Sequence, residues 1–306
     1  MKRILITGGN GLIGSSLVKN ALNEGYEVLS VDQNNPEHDV KSSNYIFRQI
    51  DITDKKFSEV IEEFNPDYLI HCAAHPGGRS LIEPYLDIEV NIQATMRIFD
   101  ICAKTDTQVI YLSSSVIYGD HEPVLIKEAD QLNPGTIYGV AKQACENLLR
   151  IYQEAFGLKW TVLRLFATYG AGHKPNTYQG IVNIFLTQIM NGNEIVVKGS
   201  LLRERDMVYV EDACEGIMAS INNKKAIFKT INIGTGQPVK IKDLIKKICY
   251  TLDRDINCLR IIEEEGTVGD PYYNSADCSL AAEILNYQPK YTIDEGLKML
   301  TQQRFI

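Results

Sequence analysis

The sequence predicts an α/β fold built on a doubly wound parallel sheet, with a smaller C-terminal lobe. Three observations predict it. Short apolar, β-rich runs alternate with helical patterns from residue 3 to residue 165, the order that gives parallel strands joined by crossover helices. A glycine-rich stretch, Gly8-Gly9-Asn10-Gly11-Leu12-Ile13-Gly14, sits between the first strand and the first helix. Beyond Phe166 the alternation changes character. The first lobe is read as residues 1–165, with 207–235 returning to it. The second is read as 166–206 and 236–306.

Arg3-Ile4-Leu5-Ile6-Thr7 is the first strand, and Leu17, Val18, Ala21 and Leu22 mark the apolar face of the first helix. Between them Gly8, Gly11 and Gly14 allow a tight turn and close approach to a pyrophosphate, and the helix N-terminus adds N–H donors and a positive dipole. Asn10, Leu12 and Ile13 belong to the same cradle. The spacing is G-x-x-G-x-x-G, and its strand–turn–helix context makes it specific. The second strand, 27–31, ends at Asp32. A carboxylate about 20 residues past such a loop suits the ribose hydroxyls of NAD. No arginine follows in Gln33-Asn34-Asn35-Pro36 to receive a 2′-phosphate, so NAD is favoured over NADP. The competing reading of Asp32 is a plain strand-end turn residue.

A third strand, 46–50, leads into Asp51-Ile52-Thr53-Asp54, with Thr53 or Asp54 as cap of a helix running to about Phe64. Residues 67–72 read as a buried strand leading to Ala73-Ala74, small enough to admit a cofactor to the backbone. His71, inside that strand, reads as a satisfied core histidine. Pro76-Gly77-Gly78-Arg79 is a flexible loop near the expected active edge, and Arg79 is either a substrate contact or a solvated arginine. A long helix, 87–103, and a strand, 109–112, precede Ser113-Ser114-Ser115-Val116-Ile117-Tyr118-Gly119. Serines at the carboxyl end of a parallel strand stand where α/β sheets bind ligands. A hydroxyl there can bond both a substrate oxygen and Tyr138.

Residues 137–156 read as one helix, with apolar or small residues at 137, 140, 141, 144, 145, 148, 149, 151, 152, 155 and 156. Tyr138 and Lys142, four apart, share a face. An ammonium beside a phenol favours the phenolate. At about 4 Å and an effective dielectric near 20 the pair is worth roughly 4 kcal/mol, on the order of 3 pKa units. A base near working pH is what proton removal from an alcohol requires. The Tyr-x-x-x-Lys spacing alone is common by chance, so its meaning comes from context. After strand 160–165 come a loop from Tyr169 through Gln179, a helix 181–190 and a strand 194–197. Arg203-Glu204-Arg205-Asp206 then runs into a strand that opens a helix near 207–212. A strand 230–233, a helix 241–252, a strand 259–262, Gly269-Asp270-Pro271 and helices near 279–286 and 293–302 complete the chain.

At 306 residues and 44% hydrophobic, the chain can bury a substantial core. A net charge of −8 supplies no basic footprint, which argues against nucleic acid and anionic membrane surfaces as partners. No apolar run approaches the roughly 20 residues of a membrane span, and the N-terminal apolar stretch is too short for a signal peptide. The seven cysteines form no C-x-x-C pair and fall mostly in apolar stretches, as expected of reduced core residues in a cytoplasmic protein. The five histidines (38, 71, 75, 121, 173) show no ligand spacing, so a metal site is disfavoured.

Taken in order, the motifs match a family. They are Thr7-Gly8-x-x-Gly11-x-x-Gly14, Asp51-Ile52, His71-Cys72-Ala73-Ala74, Ser113 to Gly119, Tyr138-x-x-x-Lys142, Leu163-Arg164, Tyr169-Gly170, Arg205-Asp206-Met207-Val208-Tyr209-Val210, Asn232-Ile233-Gly234 and Gly269-Asp270. The chain resembles, nearly end to end, the extended short-chain dehydrogenase/reductases, and among them the nucleotide-sugar epimerase/dehydratase group. The resemblance implies a Rossmann-type NAD domain and a nucleoside-diphosphate sugar held by the smaller lobe. By the same resemblance, Tyr138 takes a proton from a sugar hydroxyl as hydride passes to the nicotinamide. Lys142 holds the nicotinamide ribose and lowers the pKa of Tyr138. Distance to Tyr118 puts the catalytic Ser/Thr on Ser114, with Ser115 second. Asp51 and Ile52 flank the adenine, and Asp32 the adenosine ribose. Arg205 grips the diphosphate, with Arg203 as helper, a task suited to guanidinium. A homodimer through helices 87–103 and 137–156 is also implied.

Departures from the family pattern narrow the choice. Ser115-Val116 stands where the dehydratases carry Asp-Glu, which argues against 4,6-dehydration. Val116 also replaces the cysteine of the fucose-synthase-like reductases, which argues against their C3/C5 epimerisation. Ala167 and Thr267 replace two usual diphosphate contacts, leaving the nucleotide open. The leading expectation is an NAD-dependent nucleotide-sugar 4-epimerase. A net 4-dehydrogenase or 4-keto reductase needs the same residues, and a non-catalytic NAD-binding regulator is the third reading.

Overall fold

The computed structural model describes residues 1–36, 40–171 and 180–304. His38, His173 and most of the loop expected to run through Gln179 lie outside the described residues. Seven parallel strands form the main sheet: β1 (Arg3–Thr7), β2 (Glu27–Asp32), β3 (Tyr45–Gln49), β4 (Tyr68–His71), β5 (Gln108–Ser114), β6 (Trp160–Leu165) and the strand Thr230–Ile233. From one edge to the other the order is Thr230–Ile233, β6, β5, β4, β1, β2, β3. Helices cover both faces, so β4 and β6 are buried at every residue. Alternation along β1 sends Ile4 and Ile6 into one apolar cluster and Leu5 into the other, one cluster on each face. The strand order reverses between β1 and β4, and such switch points are where α/β sheets bind ligands.

The smaller lobe is built round the strand Glu204–Tyr209. It pairs with Ala167–Tyr169, Pro238–Lys240 and Tyr273–Asn274, while Arg260–Glu264 pairs in parallel with Glu194–Lys198. Asp206, fully buried, joins this lobe to the main sheet. Its carboxylate accepts the amides of Thr235, Gly236 and Ala276 and the Thr235 hydroxyl.

The helix Ile137–Phe156 has the predicted bounds. The Thr136 hydroxyl caps it by accepting the Gly139 amide at 3.0 Å, and Gly157 ends it at φ +71°. Three details differ from expectation. The predicted 87–103 helix begins at Pro84 and runs through a π-helical stretch, Asp87–Ala94, before Thr95–Lys104. Neither Thr53 nor Asp54 caps the helix Phe57–Phe64, whose N-cap is Lys56. Asp51 instead accepts the Thr53 amide and hydroxyl and Asp54 the Lys56 amide, so both carboxylates shape the turn before it. The 76–79 loop contains a 3-10 turn, Gly77–Arg79.

Candidate active site

The glycine loop lies on the switch point. Gly8 sits at φ +66°, and a Cβ there would come within 2.9 Å of Ala73 Cα and N. A Cβ on Gly14 would lie 2.1 Å from the Gly8 carbonyl oxygen. The loop is therefore closed to any larger side chain at these two positions. The Thr7 hydroxyl fixes the opposite wall, accepting the Cys72 and Ala73 amides at 3.1 Å each. His71 is bonded on both ring nitrogens, to Thr7 Oγ1 (2.8 Å) and Thr95 Oγ1 (2.9 Å). Burial, with Lys142 nearby, lowers its pKa to about 3, so it is a neutral core histidine.

Asp32 reaches back to the loop. Its carboxylate accepts the Asn10 amide at 3.1 Å and the Asn34 amide at 3.0 Å, and Asn10 Nδ2 donates to the Asn34 carbonyl at 2.6 Å. The helix Leu12–Asn23 starts at Gly11 with no side-chain cap, which leaves its first amides available to an anion. Leu12 is buried, and Ile13 is half-buried against the apolar core. Asp51 and the buried Ile52 follow β3 at the same end of the sheet, and Ala73 and Ala74 follow β4. A cradle that a Cβ would fill, an uncapped helix N-terminus and a strand-end carboxylate fit a dinucleotide.

Lys142 is buried. Its ammonium donates to the Leu112 carbonyl at 2.8 Å and lies 4.8 Å from the Tyr111 ring centroid and 5.6 Å from that of Tyr138. Burial lowers its pKa to about 8, partly countered by Cys145, Cys72, Glu146 and Asp87. The Tyr138 phenol moves upward, first through burial and then through the Asp87 carboxylate. That direction runs opposite to the lowering expected from the Lys142 ammonium. Burial and the Asp87 carboxylate set it, and the Lys142 ammonium is hydrogen-bonded to the Leu112 carbonyl. Ser114 Oγ accepts the Val116 amide at 3.4 Å and is not bonded to the Tyr138 phenol.

The depressed lysine has a stability signature. Below pH 8 folded and unfolded chains both hold its proton. Above that the unfolded chain retains the proton that the folded one releases, so stability rises with pH until the ordinary value of 10.5. Relative to Lys142→Met, the wild type should gain up to about 3 kcal/mol between about pH 8 and 10, read by urea unfolding. Parallel pH profiles of the two proteins would refute this.

A cavity of about 140 Å3 opens beside the carboxyl ends of β5 and β6, lined by Ser114, Ser115, Ala167, Arg205, Asp270 and Asn274 among others. Arg205 Nη2 is 2.8 Å from Asp270 Oδ1. Arg203 pairs with the same carboxylate but is turned into the Lys198 and Ser200 carbonyls and does not line the cavity. Arg79 lies outside it too, exposed and paired with Glu83 at 2.7 Å. Asp270 and Asn274 were not singled out from the sequence as site residues. Gly269-Asp270 was visible as a motif, whereas Asn274 carries no sequence signal and reaches the cavity by pairing in register with Arg205. Among the described residues no group of His, Cys, Asp and Glu could hold a metal ion, and no helix is long and apolar enough to cross a membrane.

The chain matches the NAD dependent epimerase/dehydratase family over residues 4–234. It is 29% identical to the UDP-glucuronate 4-epimerase of Thermodesulfobacterium geofontis, over 96% of this chain and 93% of that protein. It is 28% identical to a UDP-N-acetyl-alpha-D-glucosaminuronate decarboxylase of Bacillus cytotoxicus, over 98% and 97%. Among solved structures it is similar to the UDP-glucuronic acid 4-epimerase from Bacillus cereus in complex with UDP-glucuronic acid and NAD. The TM-score is 0.89 at 25% identity, covering 99% of this chain and 100% of that one.

Proposed function

We propose that this chain, which belongs to the NAD dependent epimerase/dehydratase family, is an NAD-dependent 4-epimerase of a UDP-sugar. One observation carries the reading: Ser114 and Arg205 line one cavity beside the carboxyl ends of β5 and β6, at the end of the sheet where the glycine loop follows β1, and Lys142, on the helix of Tyr138, is anchored to the Leu112 carbonyl of β5. The similar proteins that act on UDP-sugars support the nucleotide. Gly8 to Gly14 would hold the pyrophosphate of NAD, Asp32 its adenosine ribose, and Asp51 and Ile52 its adenine. Bound NAD supplies a reversible hydride acceptor. Tyr138 removes the proton of the sugar 4-hydroxyl and returns it to the same oxygen once C4 has been reduced again from its other face, Ser114 hydrogen-bonds that oxygen, and Lys142 places positive charge beside the phenol. Arg205 grips the diphosphate.

The test is to offer UDP-glucose, UDP-glucuronic acid and UDP-N-acetylglucosamine to the purified protein with no cofactor added. Proton NMR of the anomeric region and absorbance of NADH are followed together. A new 4-epimer without net nicotinamide reduction is the expected result. Keto sugar growing in step with NADH, or loss of carbon dioxide from a uronic acid, would overturn it in favour of a net dehydrogenase or a decarboxylase.

We propose a homodimer as the assembly. Tyr85 (86% exposed), Ile88 and Met96 along 84–104, with Val140, Ile151 (57%) and Phe156 (62%) along Ile137–Phe156, leave apolar side chains in water on two adjacent helices. Light scattering should give twice the chain mass for the wild type and the chain mass for Ile151→Asp/Phe156→Asp. A wild-type monomer would refute the dimer. All seven cysteines are free thiols and four are buried, which supports a cytoplasmic setting.

A further inference from the structure

Asp87 is fully buried, and among the described residues no lysine or arginine pairs with it. A buried carboxylate is costly unless hydrogen bonds hold it. Here the Ser80 hydroxyl donates to Oδ2 at 2.5 Å and Asn91 Nδ2 to Oδ1 at 2.7 Å, with His75 Nδ1 3.5 Å from Oδ2. Asn91 in turn fixes His75, accepting its amide at 2.8 Å and donating to its carbonyl at 3.1 Å. The same Ser80 oxygen accepts the backbone amide of Tyr138 at 2.9 Å, one of the first-turn donors that no helical carbonyl can reach. Gly77, three residues before Ser80, lies against the Tyr138 ring. A Cβ there would stand 3.0 Å from Tyr138 Cδ1.

We infer that Asp87, acting through Ser80, is a positioning residue for Tyr138, setting both its place at the helix start and the charge around its phenol. This rests on the epimerase reading for its kinetic consequence, though not for its structural one. The charged and titratable groups around the pair are His71, Cys72, His75 and Glu83 from β4 and the segment after it, Tyr111 from β5, and Lys142, Cys145 and Glu146 from the helix itself. Of these and Asp87, it is the Asp87 carboxylate that raises the Tyr138 phenol beyond what burial does.

The experiment compares Ser80→Ala, Asp87→Asn and wild type by hydrogen exchange at the Tyr138 amide and by kcat, KM and the pH profile of kcat/KM. Both variants should exchange that amide at least roughly tenfold faster and lose roughly 10- to 100-fold in kcat, with KM within about twofold. In Asp87→Asn the acid limb of kcat/KM, set by the phenol as base, should move to lower pH by roughly one unit, because a negative charge has gone. In Ser80→Ala, which keeps that charge, the limb should stay. Wild-type amide exchange in Asp87→Asn, wild-type kcat in Ser80→Ala, or an unmoved limb in Asp87→Asn would each overturn the inference. Should Asp87→Asn fail to fold, kcat and exchange in Ser80→Ala decide alone. Absence of wild-type turnover would refute the epimerase reading and leave amide exchange to judge the positioning.

Discussion

Tyr138→Phe is expected to bind NAD as the wild type does and to lose roughly 10²- to 10⁴-fold in kcat, the usual contribution of a positioned acid–base group. The substitution removes one oxygen. The ring keeps its packing on Gly77, and the helix start keeps its bonds to Ser80 and Thr136, since these use the Tyr138 and Gly139 backbone amides. The glycine cradle and Asp32 lie on other strands and make no contact through the phenol oxygen. NAD affinity by fluorescence titration and the thermal midpoint should therefore stay near wild type while epimer formation by NMR collapses. Turnover within about threefold of wild type would sink the assignment of Tyr138 as the base. A parallel fall in affinity and midpoint would make its role structural.

Arg164→Leu is expected to destabilise the protein by about 3–5 kcal/mol, as removal of one partner of a buried ion pair does. Arg164 and Glu146 are each 2% exposed. The guanidinium makes two bonds to the carboxylate, Nη2 to Oε2 at 2.7 Å and Nε to Oε1 at 3.1 Å. Its Nη1 donates to the Tyr118 hydroxyl and the Glu128 carbonyl, and Tyr118 donates on to Asn232 at 2.7 Å. The variant leaves the Glu146 carboxylate desolvated and unpaired one helical turn beyond Lys142. Urea unfolding reads the loss. Arg164→Leu/Glu146→Leu should recover part of it, because no buried charge then remains. A single-variant cost below about 1 kcal/mol would show that water or another group reaches Glu146.

The parallel sheet and its helices were legible in the sequence because their signals are short-range. Short apolar runs, period-3.6 apolar patterns and the glycine turn after β1 depend on neighbours a few residues away. For that reason Ile137–Phe156 has its predicted bounds, while the start at Pro84 and the π-helical stretch Asp87–Ala94, set by packing, were missed. Arg203 and Arg205, expected from the resemblance to work together, both meet Asp270. That only Arg205 lines the cavity was decided by carbonyls at Lys198 and Ser200, which claim Arg203. Arg79 is paired with Glu83, four residues further along the chain. The largest difference from the sequence pattern concerns the surroundings of Tyr138. Spacing showed the ammonium four residues along but not Asp87 and the Gly77–Ser80 turn, brought in from more than fifty residues away. Helix and strand formation are fixed by local periodicity. Burial and electric field at one oxygen are sums over everything that packs round it, and only the tertiary structure assembles those terms.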